Sequence, residues 1–183
     1  MTMATRRLID SIRGEYLRYK KLAEDSMEQV EDATLVASRG ADANSIAAIC
    51  WHVSGNLRSR FTNFLTEDGE KPWRKREEEF DTRQVSRPEL LAKWEAGWQP
   101  LFAALAGLTD DDLDRTVTIR GQALAVHEAL HRSLAHTSYH VGQIVLLAKE
   151  ARGSAWKSLS IPRGQSDAYN RAIAPQRAPE TGR

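Results

Sequence analysis

The sequence predicts an all-α fold, a bundle of four amphipathic helices. Apolar residues recur at spacings of three and four in four long segments, which is the period of a helix with one buried face. Strand-like sequence is confined to one short stretch, Thr116–Ile119. A chain of 183 residues is also long enough to bury one substantial core. Together these observations favour a single helical bundle domain.

The first two helices are predicted from their apolar positions. Residues 5–29 form the first helix, with its buried face at Leu8, Ile12, Tyr16, Tyr19 and Leu22. Asn44 or Ser45 provides the N-cap of the second helix, which runs to about Leu65. Its apolar stripe consists of Ile46, Ile49, Val53, Leu57 and Phe64. The charge-rich segment 67–85 breaks the periodicity, so we expect a long surface connection between the second helix and the third.

The third helix has three start signals in succession at residues 86–89, namely a serine N-cap, an early proline and a capping-box glutamate. It runs to about residue 105, with core positions at Leu91, Trp94, Trp98, Leu101 and Leu105. Thr109–Asp112 predicts a short capped turn, and the β-branched Thr116–Ile119 predicts one extended segment. The fourth helix covers about 123–151 and ends before Gly153.

The domain is predicted to span residues 1–170, followed by a disordered tail at 171–183 that contains two prolines. The chain carries 26 basic and 25 acidic residues, a net charge of +1. This balance offers no electrostatic attraction to nucleic acid or to an anionic membrane. Cys50 is the only cysteine, which excludes an intrachain disulfide and favours a reducing cytoplasm. We therefore expect a cytoplasmic protein with neither a nucleic-acid nor a membrane partner.

Three of the five histidines form a pattern that is typical of a metal site. His136 and His140 lie four residues apart on the fourth helix, so they point the same way, about 40° apart around the axis. His52 on the second helix can complete a face of three nitrogens, which leaves positions open for water or substrate. An open site suggests chemistry rather than a closed structural site. Zinc, nickel and iron all suit three imidazoles.

A second metal hypothesis competes for the same helix. Residues 127–131 read His-Glu-Ala-Leu-His, which matches the zinc-protease pattern H-E-x-x-H. Periodicity does not choose between the pairs, because nine residues place His127 and His136 on opposite sides of the helix. Glu150 is the natural third ligand for a protease, but about 28 Å of helical rise separates it from the motif. A protease also needs a sheet edge to hold extended substrate, so we favour the site at His52.

Several motifs resemble the DinB/YfiT-like superfamily. The string Ala135–Ile144 resembles its fourth-helix signature, in which two histidines four apart precede Gly-Gln. Trp51–Asn56 resembles its second-helix histidine motif, and Thr118–Gly121 fits the segment before the last helix. The extension Trp156–Ser166, W-K-S-L-S-I-P-R-G-Q-S, is similar to one in an uncharacterised branch. The resemblance extends from the first helix to about Asn170.

The resemblance implies a bundle in which His52, His136 and His140 hold a divalent metal, and it implies a homodimer. Better-known relatives are thiol-dependent transferases or isomerases that use a low-molecular-weight thiol such as bacillithiol or mycothiol. For the resembled branch no activity follows. Tyr139 and Val141 depart from the pattern, since many relatives have histidine and arginine at these two positions.

Four further side chains are candidates for catalytic roles. Gln143 and Asn56 each lie about one helical turn beyond a predicted metal ligand, where they can orient an imidazole or a substrate. Arg60 falls within the apolar arc of the second helix and can bind a substrate carboxylate or extend to solvent. Tyr139 can donate a hydrogen bond to an oxygen at the metal or pack as an aromatic ring. Cys50 is interpreted as a small buried apolar side chain rather than a nucleophile.

Three hypotheses of function follow from these features. The first is a metal-dependent enzyme that activates a water or a small thiol against a small-molecule substrate, as a transferase, isomerase or hydrolase. The second is a metal-binding or stress-related protein without catalysis. The third is a helical interaction domain whose histidines bind no metal.

Overall fold

The computed structural model describes residues 7–40 and 43–177, and within them four long helices surround a shared core. In chain order the helices are α1 (Leu8–Glu28), α2 (Asp32–Val36), α3 (Ile46–Phe61), α4 (Arg87–Ala106), α5 (Val126–Arg152) and α6 (Ser166–Arg177). Strands β1 (Thr116–Ile119) and β2 (Gln122–Ala125) form an antiparallel hairpin. Short 3-10 helices lie at Glu77–Phe80, Asp110–Asp112 and Gly153–Ala155. The predicted all-α bundle is confirmed, with α1, α3, α4 and α5 as its four helices.

Helix α3 lies at the centre of the bundle and is buried on almost every side. Of the two predicted N-cap candidates, Ser45 is the cap, and its hydroxyl accepts a hydrogen bond from the Ala48 amide at 3.1 Å. Beyond the predicted apolar stripe, the helix also buries small residues, among them Ser54, Gly55 and Ser59. Small side chains there allow neighbouring segments to approach closely, so polar groups from those segments come within reach of α3.

Helix α4 begins with the predicted capping box, since Glu89 accepts from the Ser86 amide at 2.9 Å and Ser86 accepts from the Glu89 amide. It packs against α3 so closely that a Cβ atom on Gly97 would lie 2.4 Å from the Cα of Ser54. Two core predictions are wrong. Leu91 is 39% exposed and the adjacent Leu90 is buried instead, and on α1 Leu8 is 46% exposed while the adjacent Ile9 is buried.

The connection between α3 and α4 is long, as predicted, but the prediction that it lies wholly on the surface is wrong. The Ser59 hydroxyl donates to the Gly69 carbonyl at 2.6 Å, and the Gly69 amide donates to the Thr118 carbonyl at 2.8 Å. These bonds fasten the connection to α3 and to the hairpin. Its 3-10 turn packs on α3 and carries Glu79 into the interior, where that residue is only 7% exposed.

The predicted extended segment is the first strand of a hairpin. Arg120 and Gly121 form its two-residue turn, and both have positive φ, 55° and 72°. Such a turn matches the twist of two paired strands. The Asp68 carboxylate accepts from both turn amides, at 2.8 Å and 2.7 Å, and so supports the turn from the α3–α4 connection. Because the second strand occupies Gln122–Ala125, α5 begins at Val126 rather than near 123.

The chain after α5 returns to the end of α1. The Gln29 side chain accepts from the Lys157 amide at 2.8 Å and donates to the Lys157 carbonyl at 3.1 Å. Helix α6 includes residues 171–177 of the predicted disordered tail, and the remainder of that tail, 178–183, lies outside the described residues. The domain limit near 170 stays a prediction. Within the described residues, none of the helices combines the length and apolar character that a membrane crossing requires.

Candidate metal centre

Three imidazole rings meet between α3 and α5. His52 comes from α3, and His136 and His140 come from one face of α5. The Nε2 atoms of His52 and His136 are 3.1 Å apart. One ring nitrogen from each of the three histidines lies within 4.8 Å of the other two. The structure therefore brings together the three residues that the sequence nominated as metal ligands.

A buried ion pair orients His52. Its Nδ1 atom lies 3.0 Å from Glu79 Oε2, and Arg74 donates two hydrogen bonds of 2.8 Å to the same carboxylate. Burial acts to raise the pKa of Glu79, but the Arg74 and His52 contacts outweigh it and hold that pKa below its usual range. An ionised carboxylate can only accept, so His52 Nδ1 carries the proton and donates. The lone pair of His52 is thereby placed on Nε2, facing the other histidines.

Glu79 is the functional residue that sequence analysis missed. It is the third member of a run of three glutamates in a segment without periodicity, and nothing local distinguishes it. The available signal is Gly55: a Cβ atom there would lie 2.0 Å from Glu79 Oε1. A glycine inside a helix, three residues after a predicted ligand, indicates that another group approaches the helix at that point.

Gln143 orients His140 as the spacing predicts. Its Oε1 atom lies 2.8 Å from His140 Nδ1, and its Nε2 atom donates to the Tyr139 hydroxyl at 3.2 Å. An amide oxygen accepts, so His140 Nδ1 donates and the lone pair again lies on Nε2. Tyr139 is 64% exposed and also packs edge-on against the His140 ring. Both its hydrogen bond and its aromatic contact therefore support Gln143 and His140 from the surface.

His136 completes the cluster without an orienting partner of its own. Its Nδ1 atom is buried and makes no hydrogen bond within the described part of the chain. Burial, followed by the positive charge that His140, His52, Arg74 and Arg60 can carry, lowers the pKa of His136 to about 3. Burial also lowers the pKa of His140. These two imidazoles are therefore neutral at physiological pH, the form that binds metal.

The donor set fits a divalent ion. Two nitrogens bound to one zinc ion each lie about 2.0–2.1 Å from it, and the 3.1 Å separation between His52 and His136 is compatible with such bonds. Hydrogen bonds from Nδ1 to a carboxylate and to an amide are the outer contacts that metal-binding histidines usually make. Imidazole nitrogens suit zinc, nickel and iron alike.

Asn56 and Arg60 lie beside the cluster rather than in it. Both line a cavity of about 210 Å³ that also reaches His52 and His136. Arg60 does not extend freely to solvent, because Glu70 accepts two hydrogen bonds of 3.1 Å from its guanidinium group.

Cys50 is fully buried next to Met27, and burial raises the pKa of its thiol. Both observations agree with its interpretation as a small apolar side chain.

In the competing histidine pair, His127 contacts the segment before the start of α5. The His127 Nδ1 atom lies 3.0 Å from the Leu113 carbonyl, and Glu128 accepts from the Ala125 amide at 2.8 Å. Helix α5 runs unbroken from Val126 to Arg152, and Glu150 pairs with Arg39. Glu150 therefore stays several turns away from the H-E-x-x-H motif, as the argument against a protease requires.

Comparison with known proteins identifies the class to which this fold belongs. The fold resembles the crystal structure, at 2.01 Å resolution, of a DinB-like protein from Bacillus cereus ATCC 10987. The TM-score is 0.62 at 14% sequence identity, and the match covers 81% of this chain and 96% of that one. The fold is thus a DinB-like helical bundle. No match is found among curated proteins.

The family follows from the sequence itself. The model of the family described as "Protein of unknown function (DUF1572)" matches residues 3–165, which is most of the chain. The protein belongs to this family, a member of the DinB/YfiT-like group. The resemblance predicted from the histidine motifs is confirmed.

Proposed function

We propose that the protein is a metal-dependent enzyme in which His52, His136 and His140 hold a divalent ion. A bound ion of this kind would lower the pKa of a coordinated water or thiol and so supply a nucleophile near neutral pH. The observation that carries the proposal is the convergence of three imidazoles, with Glu79 and Gln143 holding two of them so that Nε2 faces the centre.

Access to the site favours catalysis over a purely structural role. His52 and His136 contribute to the wall of a cavity, so a small molecule can reach the histidines from that side. Structural metal sites are closed by protein ligands, whereas catalytic sites keep an open position. A metal-binding protein without turnover is the second candidate, because the same donor set would serve it equally well.

The side chains around the histidines would have different roles in the proposed enzyme. Glu79 would hold the His52 proton on Nδ1 and fix the ring, and Gln143 would do the same for His140. Asn56, on the cavity wall, is placed to orient a substrate polar group. The proposal also includes a low-molecular-weight thiol as co-substrate and a homodimer, both of which rest on the resemblance to better-known relatives. It includes a cytoplasmic location as well, which rests on the cysteine content.

Thiol-dependent turnover tests the enzyme hypothesis. Purified protein loaded with zinc or nickel would be incubated with a small thiol and a haloaromatic electrophile, and adduct formation would be followed optically. We expect turnover that requires the ion and is lost in His136→Ala but retained in His131→Ala. If the protein binds metal but shows no turnover with any of the thiols tested, or with ester and amide substrates, the result would instead support a metal-binding protein without catalysis.

A further inference from the structure

The cavity next to the histidines has a strongly cationic lining. Five of the residues that surround it are arginines: Arg60, Arg74, Arg76, Arg120 and Arg132. None of its described lining residues is acidic. Guanidinium groups are suited to carboxylate and phosphate because their paired donors match both oxygens of such a group. A cationic lining next to a candidate active site indicates that the ligand carries a negative charge.

Two carboxylates behind the lining neutralise only part of this charge. Glu70 accepts from Arg60 at 3.1 Å and from Arg120 at 2.8 Å, so one carboxylate serves two guanidinium groups. Glu79 serves Arg74, whose side chain is almost fully buried. Burial lowers the pKa of Arg60 despite its Glu70 partner, which indicates that the group lacks full compensation for its lost hydration.

At the rim of the cavity, carboxylates balance even less of the arginine charge. Arg76 pairs at 2.7 Å with Glu77, a carboxylate that is 87% exposed, and such pairs contribute little. Arg132 is exposed on α5 and forms no salt bridge with any residue that the structure describes. The cavity therefore keeps a net positive charge, and Arg132 has its donors available for a ligand.

The arginines also lie at a useful distance from the histidines. On α3, His52, Asn56 and Arg60 follow one another at intervals of four residues, so Arg60 lies about 12 Å along the axis from His52. On α5, Arg132 lies one turn, about 6 Å of rise, before His136. All five residues line the same cavity. One small molecule can therefore contact arginine at one end and histidine at the other.

We propose that this cavity binds the anionic group, carboxylate or phosphate, of a small substrate and directs the rest of the molecule to the three histidines. Arg132 and Arg60 hold the anionic group, and Asn56 lies between it and the histidines. The identity of the reacting end rests on the proposed function, whereas binding of the anion does not require a metal. Through Glu70, Arg60 also ties the connection to α3 and Arg120 ties it to the hairpin. Substitution of Arg132 therefore tests ligand binding without removing one of these structural contacts.

Calorimetric titration of metal-free protein with inorganic phosphate and, separately, with glutarate tests this inference. We expect wild type to bind at least one probe, more weakly at high salt. Arg132→Gln should raise Kd about tenfold or more, the effect expected from losing a charge-assisted pair. Arg13→Gln removes an exposed arginine from α1 that does not line the cavity, and it should leave Kd unchanged.

The outcomes separate this inference from the metal hypothesis. His140 does not line the cavity, so His140→Ala should lose metal and keep anion binding. Anion binding in a wild type that takes up no metal would support the cavity assignment and contradict the metal-dependent enzyme alone. Failure of both probes to bind, or equal Kd values in wild type and Arg132→Gln, would overturn the inference. The probe that binds more tightly tells whether the group is carboxylate or phosphate.

Discussion

At the scale of single residues, Glu79 has the most influence on the candidate metal centre. It is the one described carboxylate in hydrogen-bonding contact with a histidine of the cluster, and it is held by a buried arginine. Through His52 it determines which ring nitrogen faces the centre. A residue that sequence patterns leave unmarked is therefore the one that turns the Nε2 atom of His52 toward His136.

Replacing Glu79 should weaken metal binding without removing a ligand. In Glu79→Gln the neutral amide accepts more weakly from His52, so we expect zinc affinity to fall about 10–100-fold in a competition titration. The Arg74 charge loses its partner, which should lower the free energy of unfolding by about 1–3 kcal/mol. Glu78→Gln is the control, because Glu78 is 63% exposed and pairs with Lys75, which is itself exposed. Equal zinc affinity in both variants would contradict the role assigned to Glu79.

Gly55 is predicted to be essential for the position of Glu79. In Gly55→Ala the new Cβ atom would overlap Glu79 Oε1, so the carboxylate must move away from His52. We expect lower zinc affinity and a loss of about 1–3 kcal/mol of stability in denaturant unfolding. Gly142→Ala is a matched substitution on α5 with open space around it. It should stabilise the helix by about 0.5–1 kcal/mol. A change in the free energy of unfolding that has the same sign in both variants would refute the steric argument.

At the scale of elements, the close contact between α3 and α4 sets where His52 lies. Gly97 faces the backbone of Ser54, two residues from His52, and the capped start of α4 fixes the helix from the other end. The α3–α4 connection is part of the same unit, because it is bonded to α3 through Ser59 and to the hairpin through Asp68. The histidine of α3 is thus held by packing on one side and by hydrogen bonds on the other.

Enlarging Gly97 should disturb this unit. In Gly97→Ala the Cβ atom meets backbone, which cannot rotate away, so the two helices must separate. We expect the free energy of unfolding to fall by about 1–3 kcal/mol, measured by chemical denaturation. Gly107→Ala, just beyond the end of α4, places its nearest neighbour at 3.6 Å and should change stability by less than about 0.5 kcal/mol. A Gly97→Ala protein as stable as this control would show that the helices are not in close contact.

Elements with local signals were predictable, and those that depend on tertiary contacts were not. Ser45 and the Ser86 capping box mark helix starts because their hydrogen bonds are local. The second strand contains no β-branched residue, so the two-residue turn Arg120-Gly121 is its one signal in the sequence. The three histidines follow from spacing on two helices. The arginine cavity draws on α3, the connection, the hairpin and α5, and no single spacing contains it.

At the scale of the whole molecule, buried neutral histidines couple stability to pH in the metal-free protein. His136 has a pKa of about 3 when folded, against about 6.5 for an ordinary histidine. The unfolded chain therefore binds a proton between these values that the folded protein does not bind, and the free energy of unfolding decreases as pH falls through this window. The lowered pKa of His140 acts in the same direction.

Denaturant unfolding of metal-free protein between pH 7 and pH 4 should reveal this coupling. We expect the midpoint to fall with pH in wild type and to fall less steeply in His136→Ala, which has lost one of the two depressed groups. Because slopes are compared, any constant loss of stability in the variant cancels. Parallel slopes would mean that His136 titrates normally in the folded protein and is not buried as described.

Metal content tests the central claim most directly. Untagged wild type, His136→Ala and His131→Ala would be purified without chelator and analysed by plasma mass spectrometry. We predict about one equivalent of a divalent metal in wild type and in His131→Ala, and loss of it in His136→Ala. Absence of metal from every sample, even after incubation with zinc or nickel, would contradict the three-histidine site, as would loss confined to His131→Ala.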